Sequence, residues 1–205
     1  MTLMTTTNPT RRGLLALAAA GAAVALLPRP ALALTDAEAK SLIDTALGEV
    51  YRVINSGKPE AQMFKDFEAI FTKYADVNTI ARSALGPAAR AASPQDLADY
   101  TLAFRGYIGR KYGRRFRDFI GSKIEVVSAR PVKTFWEVKS MARLKGRAPF
   151  EALWHVSDRS GKNLFFNIII EGVNMLAAER SEVGAMLDAN RGDMRGLIAT
   201  LQKSG

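Results

Sequence analysis

The 205-residue chain contains no cysteine and a single histidine, His155. Without cysteine there is neither a disulfide framework nor a thiolate nucleophile, so stability must come from packing. One histidine is a poor ligand set for a transition metal, and it leaves little material for a Ser-His-acid site. His155 falls on the polar register of its predicted strand and is expected at the surface. The phosphate-binding patterns G-x-x-x-x-G-K-[ST] and G-x-G-x-x-G are also absent. We therefore expect no metal, no cofactor and no catalytic residues.

The first 33 residues have the pattern of an export signal. Arg11 and Arg12 precede a run rich in alanine, glycine and leucine, and Ala31-Leu32-Ala33 fits a cleavage site. The apolar run of about 15 residues is shorter than the roughly 20 needed to span a bilayer, which favours a cleaved signal over a membrane anchor. The arginine pair favours twin-arginine export over Sec export. Residues 34–205 are predicted to form a single domain.

The charge of that domain is modestly basic. The full chain carries a formal charge of +9, and removing 1–33 removes three arginines and no acids, which leaves 9 − 3 = +6. This charge is compatible with anionic lipid headgroups or an acidic partner. It is not by itself evidence for nucleic-acid binding, which we do not expect.

Helical periodicity dominates the chain up to about residue 120. Thr35 and Glu38 have the spacing of a capping box. Ser93-Pro94 marks the start of another helix, which should run to about Ile120. Four residues of that helix share an apolar face: Phe104, Ile108, Tyr112 and Phe116.

The opposite face of the same predicted helix is basic, with Arg110, Arg114 and Arg117 grouped together. Such a cluster is often only the solvated face of an amphipathic helix. The alternative is a docking surface for lipid headgroups or an acidic partner.

From Lys123 the period changes from 3.6 to 2, which indicates strands. We expect strands at 124–126, 132–145, 150–157 and 164–170, joined by short turns into an antiparallel meander. Helices around 179–189 and 193–203 should follow. The predicted fold is α+β, with N-terminal helices packed on a curved antiparallel sheet of about four strands and closed by C-terminal helices. Six sheet residues should face the helices: Trp136, Val138, Trp154, Val156, Phe166 and Ile168. Composition does not distinguish a filled core from a lined cavity.

The stretch 164–183 carries a family resemblance. Its Glu171-Gly172-Val173 and Arg180-Ser181 resemble the C-terminal signature of the MlaC, or toluene-tolerance, family of periplasmic phospholipid-binding proteins. Asn167 stands where that family usually has aspartate, and Asn174 where it usually has serine. The resemblance covers roughly residues 35 to 202.

The resemblance implies a soluble periplasmic lipid carrier without enzymatic activity. Its acyl chains would lie in an apolar cavity between helices and sheet, lined by the ten residues named above together with Ile170 and Val173. The implied partners are phospholipid, an inner-membrane MCE-type ABC transporter and an outer-membrane lipoprotein complex, with transient membrane contact by a monomer. Such a system maintains outer-membrane lipid asymmetry.

A different class of function stays open from the residues alone. The chain could be a cone-like α+β enzyme, with Glu171 or Asp158 as a base, or a protein that binds a small apolar ligand such as a hopanoid-related compound.

Overall fold

A computed structural model describes residues 34–115 and 119–205. The predicted export signal, Phe116 and Arg117 lie outside these ranges. The described residues contain seven helices and five strands, which confirms the α+β prediction. The helices are α1 (Asp36–Ile54), α2 (Glu60–Tyr74), α3 (Val77–Leu85), α4 (Ala88–Ala91), α5 (Pro94–Arg115), α6 (Met175–Ala189) and α7 (Met194–Lys203). The strands are β1 (Lys123–Val132), β2 (Phe135–Arg143), β3 (Phe150–Ser157), β4 (Leu164–Ile170) and β5 (Val173–Asn174).

The five strands form one antiparallel sheet in the order β1-β2-β3-β4-β5, as expected for a meander. The first hairpin differs from the prediction, since Val132 pairs with Phe135 and so ends β1. The two-residue turn between them contains Lys133 at φ 52°. A lysine in the left-handed region carries no sequence signal of the kind that Asn-Gly gives, so the single strand expected over 132–145 was wrong.

The last hairpin turn is Glu171-Gly172, with φ values of 49° and 80°. Two successive positive φ angles define a type I′ turn, whose twist matches that of the flanking strands. The turn adds the short strand β5, which was not predicted. Asn174 then caps α6 by accepting from the N–H of Ala177 at 3.1 Å. Because the cap lies at Asn174, α6 begins four residues before the expected position.

The helix starts in the first half agree with the sequence signals. Thr35 and Glu38 form the expected capping box, in which the Thr35 N–H donates to Glu38 Oε2 at 2.8 Å. Asp76 caps α3, and Gly86 at φ 66° ends it. A Cβ at Gly86 would also lie 3.1 Å from Nε of Arg180 in α6. Both the backbone angle and this close approach favour glycine there.

The long helix α5 lies at the centre of the helical layer and packs on α2, α3 and α7. It approaches α2 closely at Gly109 and Gly113. A Cβ on Gly113 would lie 2.7 Å from Cδ1 of Phe64, which is closer than packed atoms tolerate. The helix is described as far as Arg115, and Ile120, its predicted end, lies in a turn.

The main core lies between the helices and the inner face of the sheet, which is covered by α1, α3 and α6. It contains Phe104 and Tyr107 from α5 as well as Val138, Val156 and Phe165 from the sheet. A smaller cluster between α1 and α2 is formed by four residues: Val50, Ile54, Met63 and Phe67. Within the described ranges, no helix combines the length and apolarity that crossing a bilayer requires.

Candidate functional site

The interior between helices and sheet is closed at the centre of the predicted cavity. Phe104 of α5, Val138 of β2 and Val156 of β3 are each 0% exposed. A void large enough for a water molecule would leave accessible surface on the side chains that line it. The expected cavity is therefore closed at these three positions in this structure, and their side chains belong to one continuous core.

The two tryptophans of the chain lie on the inner face of the sheet and are half-buried. Nε1 of Trp136 donates to the carbonyl of Leu34 at 2.7 Å, and Nε1 of Trp154 donates to Oγ of Ser140 at 2.9 Å. Ser140 is fully buried and also donates to the carbonyl of Ala152 at 3.3 Å. Each indole N–H thus has a partner within an otherwise apolar layer, as buried polar groups require.

A β-bulge in β4 changes which phenylalanine faces the helices. His155 pairs with Asn167 and Val156 pairs with Phe165, so Phe166 is an extra residue without a partner in β3. Phe165 contacts the ring of Trp154 on the inner face, with ring centroids 5.4 Å apart. The Phe166 ring packs instead on Phe135 and His155, at 5.5 Å and 5.7 Å. Phe166 thus contacts Phe135 and His155 and also packs against the main core, while the bulge gives Phe165 the inner-face position opposite Val156.

Asn167, which follows the bulge, joins β4 to α6. Its side chain is buried, and Oδ1 accepts from the N–H of Ile168 at 2.9 Å and from the N–H of Leu176 at 3.2 Å. Both contacts use the oxygen as an acceptor, which an aspartate could do equally. Asn174 likewise acts as a helix cap, a role that serine also fills. The contacts of Oδ1 of Asn167 and of Asn174 are therefore ones that the aspartate and serine of the resembled signature could also make.

The only histidine is less exposed than predicted. The side chain of His155 is 13% exposed and lies between the rings of Phe135 and Phe166, with Nε2 3.5 Å from Oε2 of Glu137. Burial lowers the pKa of His155, and the carboxylate of Glu137 opposes that change. No cluster of metal-ligating side chains occurs in 34–115 or 119–205.

The other predicted lining residues differ in exposure. Ile108 is buried in α5, and Tyr112 is half-buried next to it. Ile168 packs against the main core, and Ile170 pairs with both Ala152 and Val173. Val173 is 56% exposed on β5.

The predicted basic cluster does not form one free surface. Arg110 is half-buried and donates to the carbonyls of Leu201 at 2.6 Å and Ser204 at 2.9 Å, at the C-terminal end of α7. Burial lowers the pKa of this guanidinium. Arg114 is exposed and lies over the ring of Phe64 at 5.8 Å. Of the three arginines, Arg110 is therefore engaged in packing, Arg114 is accessible, and Arg117 lies outside the described residues.

A buried polar network between α5 and α6 was not predicted. Glu179 is 3% exposed and accepts from Lys111 Nζ at 2.8 Å and from the hydroxyl of Tyr112 at 2.6 Å. Lys111 also bonds Glu182, to which the Tyr107 hydroxyl donates at 2.7 Å. Burial alone would raise the pKa of Glu182, but the hydrogen bonds from Lys111 and Tyr107, together with nearby positive charge, outweigh burial and the pKa is lowered.

The sequence did contain a signal for this burial. Glu179 precedes the fully buried Val183 by four residues, so helical geometry places both side chains on one face. The spacing of Glu179 and Val183 was not counted as part of a buried face, because a carboxylate is normally assigned to the solvent side of a helix.

Among the grooves at the surface of the described ranges are two whose lining contains none of the twelve predicted lipid-binding residues. The larger, about 730 Å³, lies between the α2–α3 junction, α5 and the start of β4. The smaller, about 430 Å³, lies along α1 beside Tyr74 and Asn163.

The two carboxylates considered as catalytic bases lie at separate turns. Glu171 is exposed in the β4–β5 turn, 3.5 Å from Arg147. Asp158 accepts from the N–H of Leu34 at 3.2 Å. Neither lines one of the two grooves.

The architecture of helices packed on a five-stranded meander matches a solved lipid-binding fold. It superposes with a TM-score of 0.68 on the phospholipid-binding protein from Ralstonia solanacearum, solved in complex with a phospholipid. The two sequences are 18% identical, and the match covers 80% of this chain and 95% of that chain. At this identity the likeness establishes a shared fold.

The sequence itself identifies the family. The profile described as "MlaC protein" matches residues 44–203, which is most of the chain and includes both the helical layer and the sheet. The chain belongs to the MlaC family.

Proposed function

We propose that this chain is a periplasmic phospholipid carrier that holds acyl chains between its helical layer and the inner face of its sheet. The observation that carries the proposal is the family match over 44–203, which spans the sheet and every helix around the main core except the start of α1. The neighbour of the same fold from Ralstonia solanacearum was solved with a phospholipid, which supports this ligand class.

The closed core has a consequence for how such a carrier works. Phe104, Val138 and Val156 touch no void, so acyl chains can lie between these residues only if the helices and the sheet move apart. The chains would then replace contacts among side chains of the core. In this proposal the structure is the closed form, and lipid stabilises a wider form by binding it preferentially.

The hydrophobic effect does not oppose either step of transport. An acyl chain gains about 0.8 kcal/mol per CH₂ on leaving water. The donor is a membrane, however, in which those chains already lie in hydrocarbon. The net hydrophobic term of extraction is therefore close to zero, and a carrier of this kind needs no bound nucleotide. Any energy input belongs to a partner.

The proposed partners stand at the two ends of the transport route. They are an inner-membrane MCE-type ABC transporter and an outer-membrane lipoprotein complex, with transient membrane contact by a monomeric carrier. Arg114, together with Arg117 three residues further along the sequence, is proposed for docking, since Arg110 is already bound to the end of α7.

The two tryptophans provide a direct test. Trp136 and Trp154 both lie on the inner face of the sheet, so acyl chains in the interior would contact them. Each single-tryptophan variant, Trp136→Phe and Trp154→Phe, is incubated with vesicles whose lipids carry bromine on the acyl chains, and is then separated from them. Bromine quenches indole fluorescence only at contact distance. We expect quenching of both tryptophans, which non-brominated vesicles should not cause.

A control distinguishes uptake from surface adsorption. Brominated lipid with the bromine on the headgroup should leave both tryptophans unquenched. An interior site would be contradicted by the following result: lipid co-elutes with the protein, but chain-brominated lipid leaves both indoles unquenched.

A further inference from the structure

The larger groove lies directly above the main core. Its floor includes Ala75, Val77 and Leu97, of which the first is a member of that core and the other two pack against it. Leu164, at the start of β4, forms part of another wall. On the side of α5, Leu102 is 59% exposed, although it is a large aliphatic residue. The floor of the groove therefore adjoins the apolar layer between helices and sheet, while apolar and polar residues contribute about equally to its walls.

Three cations line the same groove: Arg82 of α3, Arg105 of α5 and Lys162 of the β3–β4 turn. Arg105 is paired with Glu68, with Nε 2.7 Å from Oε1. Among the described residues, the side chains of Arg82 and Lys162 have neither an ion pair nor a hydrogen bond, and both are exposed. The groove thus has two cations available for a ligand.

The single carboxylate in the lining is Asp76, which accepts from the N–H of Thr79 as the cap of α3. Because Glu68 offsets the charge of Arg105, the groove has three cations minus two carboxylates, Asp76 and Glu68, or a net charge of +1. A volume of about 730 Å³ falls within the roughly 300–1,000 Å³ typical of small-molecule sites.

We propose that this groove binds the phosphate of an anionic phospholipid, with Arg82 and Lys162 as its ligands. The proposal rests on the proposed carrier function and adds a headgroup class and a place to it. A guanidinium presents paired donors that match phosphate oxygens, and an ammonium adds a second point charge. Leu97 and Leu102 would contact the glycerol and the first chain carbons, from which the chains continue toward the core.

The net positive charge of the groove favours a headgroup that keeps a negative charge over one whose phosphate is neutralised by choline. Phosphatidylglycerol should therefore bind more tightly than phosphatidylcholine. The difference should shrink with added salt, because the two cations are exposed and screened.

The test is calorimetric titration of the purified chain with monomeric dioctanoyl phosphatidylglycerol and, separately, dioctanoyl phosphatidylcholine. The groove variant combines Arg82→Gln with Lys162→Gln. The matched control combines Lys65→Gln with Lys145→Gln, which removes the same charge from two exposed positions outside the groove. All four substituted side chains are exposed, so folding should be unchanged, which thermal unfolding checks.

We expect the parent chain to prefer phosphatidylglycerol by about tenfold, the size of one charge-assisted contact. The groove variant should bind both lipids more weakly but lose more affinity for phosphatidylglycerol, so that the preference disappears, and the control should behave as the parent. Equal affinity of the parent for both lipids, or an undiminished preference in the groove variant, overturns this inference and leaves the carrier function standing. A parent chain that binds neither lipid overturns the carrier function itself.

A separate arm distinguishes a lipid headgroup from free phosphate. Sodium phosphate is added at an ionic strength matched with sodium chloride. Unchanged binding of phosphatidylglycerol supports a lipid site, whereas competition by inorganic phosphate would assign the groove to the free anion and overturn the proposal.

Discussion

The ammonium of Lys111 in α5 lies 2.8 Å from the carboxylate of Glu179 in α6, and the two side chains are only 14% and 4% exposed. Through Asn167, which bonds the N–H of Leu176, α6 is in turn joined to β4. The pair therefore links the central helix to the sheet across the edge of the main core. In the proposed opening of the interior, this connection would hold one side while the opposite side moves.

Removing Lys111 should destabilise the fold strongly. Lys111→Met leaves the buried carboxylate of Glu179 without its cation, which typically costs about 3–5 kcal/mol of unfolding free energy. Lys40→Met is the control, because Lys40 forms an exposed pair with Asp36 at 3.1 Å, and such pairs contribute about 0–1 kcal/mol. Urea unfolding measures both, and equal losses would show that the α5–α6 pair has no special role.

Stability should fall at alkaline pH. Burial raises the pKa of Tyr100, Tyr107 and Tyr112 above the ordinary value of 10.0. The folded state therefore keeps these protons where the unfolded chain releases them. Their contribution is complete below pH 10 and is lost as pH rises above it.

The double variant Tyr107→Phe with Tyr112→Phe tests whether these hydroxyls cause the loss of stability at alkaline pH. Its unfolding free energy should decline less steeply above pH 10 than that of the parent, as measured by urea unfolding across that range. Parallel curves for the two proteins would argue against a role of these hydroxyls in the alkaline loss.

Two glycine substitutions should change the free energy of unfolding in opposite directions. In Gly113→Ala the new Cβ meets Phe64 at 2.7 Å and Phe67 at 3.0 Å, so overpacking should cost about 1–3 kcal/mol. Gly48 in α1 has no atom within 4 Å of the new Cβ, and Gly48→Ala should stabilise by about 0.5–1 kcal/mol through helix propensity. Denaturant midpoints report both. Stabilisation by Gly113→Ala would mean that α2 and α5 are not in close contact.

Arg110 and Arg114, both on α5, should contribute differently to the free energy of unfolding. Arg110→Gln removes donors from the carbonyls of Leu201 and Ser204, which should cost about 1–3 kcal/mol. Arg114→Gln, at an exposed position, should stay within about 0.5 kcal/mol of the parent. Similar stability of the two variants in thermal unfolding would indicate that Arg110 is only part of the solvated face of the helix.

Features fixed by neighbours in sequence could be predicted. The caps at Thr35 and Asp76 and the glycine end of α3 depend on side chains within three or four residues of the helix terminus. The change of period after Lys123 likewise placed the sheet in the second half of the chain, and short turns gave its meander order.

Features that depend on distant partners could not be predicted. The bulge at Phe166 is visible only in the pairing of β3 with β4, and it moves Phe165 to the inner face. The burial of Glu179 depends on Lys111, 68 residues away in sequence. The role of Arg110 likewise depends on the end of α7. The spacing of Glu179 and Val183 indicates a buried face, but the partner in each of these long-range pairs cannot be read from the sequence.

The most direct measurement of the central claim is native mass spectrometry of the chain purified from the periplasm under non-denaturing conditions. The carrier account predicts a species heavier than the mature polypeptide by the mass of a phospholipid, which denaturation should release. A single species at the polypeptide mass, unchanged after incubation with phospholipid vesicles, would contradict it.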